Sequence, residues 1–196
     1  LGGAACLDFV NTVDRALGKP WVDCLEDYAD LCLWSEQAGT LPLARARALA
    51  RSVPARRASA VLERARALRE ACYRVFLALA EGRPPDALDL ERVNAEVGAA
   101  LGHLRIEPAA GGFAWSWSSD KDELCAPLWP IARSAAELLV SPRRALVKKC
   151  ASTTCLWLFL DETKNHQRRW CDMKVCGNRS KVRAHGRRAA RRGRGA

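Results

Sequence analysis

Four cysteines in the last quarter of the chain restrict its fold more than any other feature. Cys150 and Cys155 enclose four residues, fifteen residues follow, and Cys171 and Cys176 again enclose four. This spacing is typical of a structural zinc site, in which four thiolates form a tetrahedron around the ion and leave no position open for catalysis. A chance grouping of buried cysteines is the alternative, but so short a segment cannot build a hydrophobic core of its own. We therefore predict one structural zinc ion (Zn²⁺) bound by these four cysteines.

The residues between and after the two cysteine pairs predict a small hairpin and a helix. Residues 156–160 are strand-like, and residues 167–170 can return antiparallel to them after a loop. Asp172 is a good N-cap, so that a helix can begin at Met173 and carry Cys176 in its first turns. A knuckle, a hairpin and a helix in this order resemble a treble clef. The alternative zinc ligands in this segment are His166 and His185, although each is more typical of an exposed polar side chain.

The basic charge of the protein is concentrated in the same segment. The chain of 196 residues has 32 Lys and Arg against 22 Asp and Glu, which gives a formal net charge of +10. Residues 1–140 carry 16 basic and 19 acidic side chains, whereas residues 141–196 carry 16 basic and only 3 acidic ones. A near-neutral body joined to a strongly basic segment is typical of proteins that bind polyanions.

The end of the chain can form a helix with one narrow apolar stripe and a broad cationic arc. Val175, Val182 and Ala189 are spaced seven apart, whereas Lys and Arg occupy most of the remaining arc. A solvated face is the usual explanation of such a charge run, but like charges at helical spacing repel each other, and a bound polyanion relieves that repulsion. We predict that basic residues of this segment contact nucleic acid: Arg168, Arg169, Lys174, Arg179, Lys181, Arg183, Arg187 and Arg188.

The rest of the chain predicts a body that is mainly α-helical with one small β-hairpin. The predicted helices cover residues 4–18, 26–37, 88–101 and 123–140, with two more in residues 42–81 that separate near Val53 and Pro54. Alternating residues 103–107 and 113–118, with Gly111 and Gly112 between them, predict the hairpin. The charge changes at Ser141 and Pro142. We place the domain boundary there, between a body of residues 1–140 and a zinc module of residues 141–196.

Length and composition exclude several classes of protein. A chain of 196 residues is too short for a large multidomain enzyme, and 49% apolar with 28% charged residues is typical of a globular protein. No run of about 18 apolar residues predicts a membrane span, and Asp8, Asp14 and Arg15 interrupt any signal peptide. We expect a soluble cytoplasmic protein with no membrane partner, in which the other five cysteines are buried thiols. No P-loop, dinucleotide-binding glycine motif or Ser-His-Asp order is present, and we predict no enzymatic activity.

One group of polar residues in the body is a candidate ligand pocket. Asp8, Asn11 and Arg15 lie near one face of an otherwise apolar predicted helix. Together with Trp34 or other tryptophans of the body, they could line a pocket for a small-molecule effector. The alternative is that Asp8 and Asn11 hydrogen-bond neighbouring backbone, because buried polar groups need partners. We favour this second interpretation and keep Asp8, Asn11 and Trp34 as the pocket candidates.

Two parts of the chain resemble known families. The zinc segment resembles the CGNR zinc-finger family through its cysteine pairs, residues 157–161, residues 168–173 and the motif Cys176-Gly177-Asn178-Arg179. The body resembles the domain that usually precedes this finger, a domain of stress-induced transcription regulators called ABATE. That likeness rests on residues 6–12, on residues 31–34 before Gly39, and on residues 128–139. The two resemblances cover nearly the whole chain, and they imply zinc binding by the four cysteines and binding of DNA.

These observations lead to one main hypothesis and two alternatives. The main hypothesis is a bacterial-type transcription regulator, in which a helical body senses a signal or forms a homodimer and the basic zinc module binds DNA. The first alternative is a body that binds or converts a small molecule, with the zinc module as an RNA-binding or protein-docking appendage. The second is a thiol redox sensor that releases zinc when its cysteines are oxidised.

Overall fold

Helices packed around one long central helix form most of the molecule. The computed structural model describes residues 2–15, 20–51, 54–118 and 123–183. The helices are α1 (Ala5–Val10), α2 (Tyr28–Gln37), α3 (Leu43–Arg51), α4 (Ala55–Ala80), α5 (Ala87–Leu101) and α6 (Leu128–Val140). The strands form three antiparallel pairs: β1 (Val13–Asp14) with β2 (Val22–Asp23), β3 (Leu104–Ala109) with β4 (Gly112–Trp117), and β5 (Val147–Lys149) with β6 (Leu158–Leu160). The predicted fold class is confirmed: the chain is mainly helical, with a hairpin in the body and a cysteine-rich module at its C-terminal end.

Helix α4 is the centre of the body because apolar residues recur around most of its second half. Leu68, Cys72, Val75 and Phe76 are buried there. Helices α1, α2, α5 and α6 all pack against α4, so that one hydrophobic core runs through the body. Within the described ranges, none of the helices has the length and hydropathy of a membrane span.

Side-chain capping explains where several helices begin. Asp27 begins α2 with a capping box, in which its carboxylate accepts a hydrogen bond from the backbone N–H of Asp30 and the Asp30 carboxylate accepts one in return. Asp86 begins α5 by accepting a hydrogen bond from the backbone N–H of Leu88 at 2.8 Å. Helix α4 ends before Gly82, whose φ of 67° is a left-handed conformation that favours glycine.

Two helices are shorter in the structure than the sequence predicts. The predicted helix over residues 4–18 is wrong for residues 11–15, because Thr12 donates its hydroxyl hydrogen bond to the carbonyl of Phe9 at 2.8 Å and the chain then enters β1. Residues 16–18 of this prediction fall outside the described residues. Helix α6 begins at Leu128 instead of residue 123, because the preceding residues form turns that end at Pro127. The other four helices agree with the prediction to within two residues at each end.

The cysteine-rich segment shares a hydrophobic core with the body. Alternation along β6 places Leu158 and Leu160 on the side of α1 and α4, where both are buried in the core of the body. Phe159 faces the other way and packs with the cysteines. Strand β5 lies beside β6, with Val147 opposite Leu160, and Val147 belongs to the same core as the body.

The predicted pairing of residues 167–170 with β6 is wrong. The backbone N–H of Arg168 donates to the carboxylate of Asp161 at 2.8 Å. The carbonyl of Arg169 accepts a hydrogen bond from the backbone N–H of Ala151 at 2.8 Å. These residues therefore lie between a loop and the first cysteine knuckle, and β5 takes the place beside β6.

Candidate metal centre and nucleic-acid interface

The four cysteines predicted as zinc ligands come together beside β6. Their sulfur atoms all lie within 4.8 Å of one another. The Sγ atom of Cys171 is 3.7 Å from that of Cys155 and 3.6 Å from that of Cys176. A disulfide bond is only about 2.05 Å long, and all four cysteines, including Cys150, are free thiols.

The spacing of the sulfur atoms fits a tetrahedral zinc ion. Zinc–thiolate bonds of about 2.3 Å place two ligand sulfurs about 3.8 Å apart in a regular tetrahedron. The observed separations of 3.6 and 3.7 Å agree with that value. Four cysteine ligands leave no open coordination position, so the site binds one structural zinc ion and supplies stability.

The electrostatics of the cluster also call for a cation. Hydrogen bonds from Cys155 and Cys171 lower the pKa of Cys150, whereas contact with Cys150 raises the pKa values of Cys155 and Cys171. Several thiolates this close together repel one another unless a positive charge lies among them. A zinc ion supplies the positive charge that lets all four sulfurs bind as thiolates.

Backbone hydrogen bonds shape the first cysteine knuckle. Cys150 directly follows β5, and its N–H donates to the carbonyl of Trp157 at 2.9 Å. The N–H of Cys155 donates to the carbonyl of Ser152 at 3.2 Å. The two pairs of cysteines are joined by the N–H of Cys171, which donates to the sulfur of Cys150 at 3.5 Å.

The second pair spans the start of the C-terminal helix, which consists of the wide turn Met173–Gly177 followed by α-helical residues 178–183. Asp172 caps this helix by accepting a hydrogen bond from the backbone N–H of Val175 at 3.0 Å. The prediction that a helix begins at Met173 after this cap and carries Cys176 is therefore confirmed.

The Cys-Gly-Asn-Arg motif has a physical explanation at the two positions that directly follow the ligand Cys176. A Cβ atom on Gly177 would lie 2.5 Å from the sulfur of Met173 and 3.2 Å from Trp170, so glycine allows the helix to pack closely. Asn178 donates its side-chain amide to the carbonyl of Lys174 at 3.0 Å. Arg179 is exposed.

Asp161 organises the loop between the cysteine pairs. Its buried carboxylate accepts hydrogen bonds from Lys148 Nζ at 2.6 Å and from the hydroxyl of Thr163 at 2.5 Å. Burial raises the pKa of Asp161, but these hydrogen bonds, with that of Lys148 foremost, outweigh burial and hold the pKa well below its ordinary value. The carboxylate is therefore charged at neutral pH.

Arg168 is directed towards the protein and not towards solvent. Its guanidinium donates to the backbone carbonyls of Trp170 and Cys171 and lies 4.5 Å above the ring of Phe159. Although Arg168 is among the predicted nucleic-acid contacts, its donors are used to support the backbone of a zinc ligand.

The alternative histidine ligand that the structure describes lies outside the cluster. His166 is exposed, and its Nδ1 is 2.8 Å from the carbonyl oxygen of Asp161. The other alternative, His185, falls outside the described residues, as do Arg187 and Arg188 of the predicted nucleic-acid contacts.

Five of the predicted contacts form a cationic surface around the cysteine cluster: Arg169, Lys174, Arg179, Lys181 and Arg183 are all exposed. Among the residues that the structure describes, no carboxylate forms an ion pair with any of them. The acidic residues of the module have other partners, since Asp161 binds Lys148, Glu162 binds Arg143 and Asp172 caps the helix. No carboxylate of the described residues therefore neutralises this surface, and the zinc ion with its four thiolates, of formal charge −2, offsets only part of its positive charge.

A groove of about 380 Å³ lies between the first knuckle and the C-terminal helix. It is lined by Ala151, Thr153, Arg169, Trp170, Gly177, Ser180, Lys181 and Arg183. Arg183 is held across the groove by hydrogen bonds to the hydroxyls of Thr153 and Thr154 at 3.0 and 3.1 Å. An aromatic ring flanked by cations suits a nucleobase and its phosphates.

The pocket candidates of the body contact other parts of the protein. Asp8 accepts a hydrogen bond from the backbone N–H of Gly2 at 2.8 Å. Asn11 is buried and exchanges two hydrogen bonds with the backbone of Leu158. Trp34 packs on Phe9, with ring centroids 5.2 Å apart. Asp8 and Asn11 therefore both hydrogen-bond backbone, as the interpretation favoured from the sequence expects.

Sequence reasoning missed a buried charge network between the β1–β2 pair and α4. Arg69 is buried and binds both carboxylate oxygens of Asp23 at 2.7 and 2.5 Å. Arg15 is buried, donates to Glu70 at 2.5 Å and lies 4.1 Å above the ring of Tyr73. The sequence holds one signal of this network: Arg69 lies directly beside a run of core residues in the predicted helix.

A helical body with a shared core and a four-cysteine zinc module define the class of protein: a small zinc-finger protein with an N-terminal helical domain. The family model ABATE, described as "Putative stress-induced transcription regulator", matches residues 3–142, and the CGNR zinc finger model matches residues 147–189. The chain belongs to the ABATE family and carries a CGNR zinc finger, which confirms the resemblance seen in the sequence. A search of curated proteins gives no match.

Proposed function

We propose that this protein is a cytoplasmic transcription regulator of the bacterial type that binds DNA through its zinc module. The observation that carries the proposal is the cationic surface formed by Arg169, Lys174, Arg179, Lys181 and Arg183, none of which is paired with a carboxylate among the described residues. The family description, a stress-induced transcription regulator, supports the same function. The proposal includes no catalytic activity.

The zinc site gives this surface a fixed shape. Cys176 lies in the wide turn that opens the C-terminal helix, so zinc binding holds the start of that helix against the first knuckle. Arg183 is further tied to the knuckle through Thr153 and Thr154. Cations held in a fixed arrangement can neutralise several phosphates at once and release their counterions, which is the main source of affinity for DNA.

The body is proposed to sense a signal or to form a dimer. Its connection to the zinc module is short and rigid, because Asn11 of the α1 end contacts Leu158 of β6 and the two parts share a core. A change in α1 would therefore reach the strand that packs against the cysteines.

The proposal is tested by the salt dependence of DNA binding. Four to six phosphate contacts give a slope of about −4 to −5 for log affinity against log salt concentration. Lys174 and Lys181 have exposed ammonium groups, and we expect the double variant Lys174→Ala, Lys181→Ala to make the slope shallower by about 2. The effect of Arg183→Ala would combine a lost phosphate contact with a weakened knuckle, because Arg183 also supports the knuckle.

The matched control is the double variant Arg56→Ala, Arg57→Ala. Both arginines are exposed at the first turn of α4, and that helix of 26 residues places them about 35 Å from its other end, which contacts the zinc module. The control should leave affinity and slope unchanged. An unchanged slope in the lysine variant, with one zinc ion retained, would overturn the proposed contact surface.

RNA is the second candidate ligand, and one observation favours it. Trp170 lines the groove with Arg169, Lys181 and Arg183, and a ring in such a place can stack on an unpaired base. Competition between duplex DNA and single-stranded RNA of equal length separates the two candidates. Stronger competition by RNA, lost in Trp170→Ala, would support an RNA-binding protein.

A further inference from the structure

The β3–β4 hairpin has one apolar face and one polar face. The strand register places Leu104, Ile106 and Pro108 directly opposite Trp117, Trp115 and Phe113. Because residues directly opposite each other project on the same side of an antiparallel pair, these six side chains lie on one face. The other face carries Arg105, Glu107, Ala109, Gly112, Ala114 and Ser116.

The body covers only the base of the apolar face. Trp117 contacts Trp129 of α6, with ring centroids 5.8 Å apart. Further out, Ile106 is 64% exposed, Trp115 58% and Phe113 77%. The part of the chain that the structure describes therefore leaves the outer half of the face in solvent.

The ends of two helices extend the apolar surface beyond the hairpin. Leu101 at the end of α5 and Val140 at the end of α6 are both largely exposed. Together with Trp115 and other residues they line a groove of about 400 Å³ next to the hairpin. The hairpin face and this groove form one continuous patch, named here the hairpin patch.

The size of the hairpin patch suits a symmetric dimer. Its five large side chains are each more than half exposed and together present on the order of 500 Å² of apolar surface, since a fully exposed aromatic side chain alone contributes about 150–250 Å². One partner in a stable interface buries about 800 Å², of which about 65% is apolar in homodimers. The patch thus supplies about the apolar share that one partner of a dimer needs.

Charges at the edge of the patch are balanced. Arg133 lies 5.4 Å above the ring of Trp115 and binds Glu137 at 2.7 Å. In a two-fold symmetric interface the second copy presents the same Arg133–Glu137 pair in the opposite direction. The positive charge of one copy can therefore meet the negative charge of the other. A highly charged partner, such as nucleic acid, would find no net charge here to bind.

We propose that the hairpin patch is the surface through which two copies of this chain associate as a symmetric dimer. Helix α6 ends at Val140 in the patch, and only six residues separate it from β5 of the zinc module. The dimer would therefore fix the distance between two zinc modules, as in DNA-binding dimers whose spacing sets that of their half-sites. The role of this spacing in DNA binding rests on the proposed function, whereas the association of two copies through the hairpin patch does not.

The test is the mass of the full chain in solution. Sedimentation or light scattering between about 1 and about 100 µM should show a rise from the 21.6 kDa of one chain towards twice that mass. The double variant Ile106→Glu, Phe113→Glu places charges on the exposed end of the patch. It should raise the dissociation constant by about a hundredfold or more, with circular dichroism and zinc content unchanged.

The matched control is Leu88→Glu, because Leu88 is a largely exposed apolar residue at the opposite end of α5. It should leave the dissociation constant unchanged. A wild-type chain that stays monomeric throughout the range, or a dimer that is unaffected by the double variant, would overturn the proposal. DNA binding is measured separately, and a monomeric variant that still binds DNA with the wild-type salt slope leaves the proposed function intact.

Discussion

Asn11 and Leu158, which are 147 residues apart, form a reciprocal pair of hydrogen bonds. The side-chain amide of Asn11 donates to the carbonyl of Leu158 at 2.8 Å, and the backbone N–H of Leu158 donates to the amide oxygen of Asn11 at 3.0 Å. The side chain thus acts as a neighbouring strand for β6 and attaches the zinc module to the end of α1.

Asn11→Ala should destabilise the whole protein. The change leaves both buried backbone groups of Leu158 without a partner, and each such group costs about 1–3 kcal/mol. We expect the free energy of unfolding, measured with urea, to fall by about 2–4 kcal/mol. Asn94→Ala, an exposed asparagine on α5, is the control and should change it by less than about 0.5 kcal/mol. Equal effects of the two variants would show that the pair does not hold the module to the body.

Removal of residues 141–196 should weaken the body without unfolding it. The sequence predicts that residues 1–140 fold alone, but Val147, Leu158 and Leu160 belong to the core of the body. We expect cooperative thermal unfolding of the fragment at a lower midpoint than in the full chain. In the full chain, Leu160→Ala should cost about 2–5 kcal/mol. A fragment as stable as the full chain would show that the two cores are independent, and a molten fragment would show that the proposed boundary is misplaced.

Local patterns account for the parts of this structure that were predicted correctly. Helical spacing located α2 and α5, alternation of residues located the β3–β4 hairpin, and the spacing of Cys150 to Cys176 located the metal site, because each pattern is contained in a short segment. Two features that the sequence did not reveal, Asn11 with Leu158 and Arg69 with Asp23, join partners that are distant in sequence. The pairing of β5 with β6 is local, but the alternation of residues alone does not decide which neighbouring segment lies beside β6. A polar residue on an apolar face shows that a partner exists but not which one.

The ion pair of Asp23 with buried Arg69 should make stability depend on pH. Burial raises the pKa of Asp23, but the hydrogen bonds from Arg69 outweigh it and lower the pKa below the ordinary value of 3.8. The pair therefore contributes stability above that ordinary value and loses it as the pH falls through the lower pKa of the folded state. Asp23→Asn should cost about 2 kcal/mol at pH 7, and the difference from the wild type should shrink towards pH 3. Glu91→Gln, an exposed control, should show no such trend.

Purified protein should contain one zinc ion per chain, and Cys176→Ser should remove it. Loss of a thiolate breaks a closed tetrahedral site, and the binding free energy of a structural zinc is also folding free energy for its module. Elemental analysis of protein purified without added metal is the measurement. Cys24→Ser is the control, because Cys24 lies outside the cluster and is exposed, which makes the expectation of a buried thiol wrong at this position. Less than half an equivalent of metal in the wild-type protein would contradict the zinc site.

Arg179 should discriminate between DNA sequences. Arg179 has two candidate roles, namely contact with base edges or support of the zinc thiolates. Its side chain is exposed beside Lys174 and Asn178 in the first turns of the C-terminal helix, and the first residues of a recognition helix commonly reach base edges. Within the described residues, no hydrogen bond joins it to the four sulfur atoms.

A preferred sequence is first selected from a random DNA pool with the full chain. Arg179→Ala should then lose about 1–3 kcal/mol of discrimination between that sequence and a mismatched one, while one zinc ion stays bound. Lys181→Ala is the matched control: as a phosphate contact it should weaken binding to both sequences equally. Loss of zinc from Arg179→Ala would assign it to support of the thiolates, and full discrimination with zinc retained would exclude both roles.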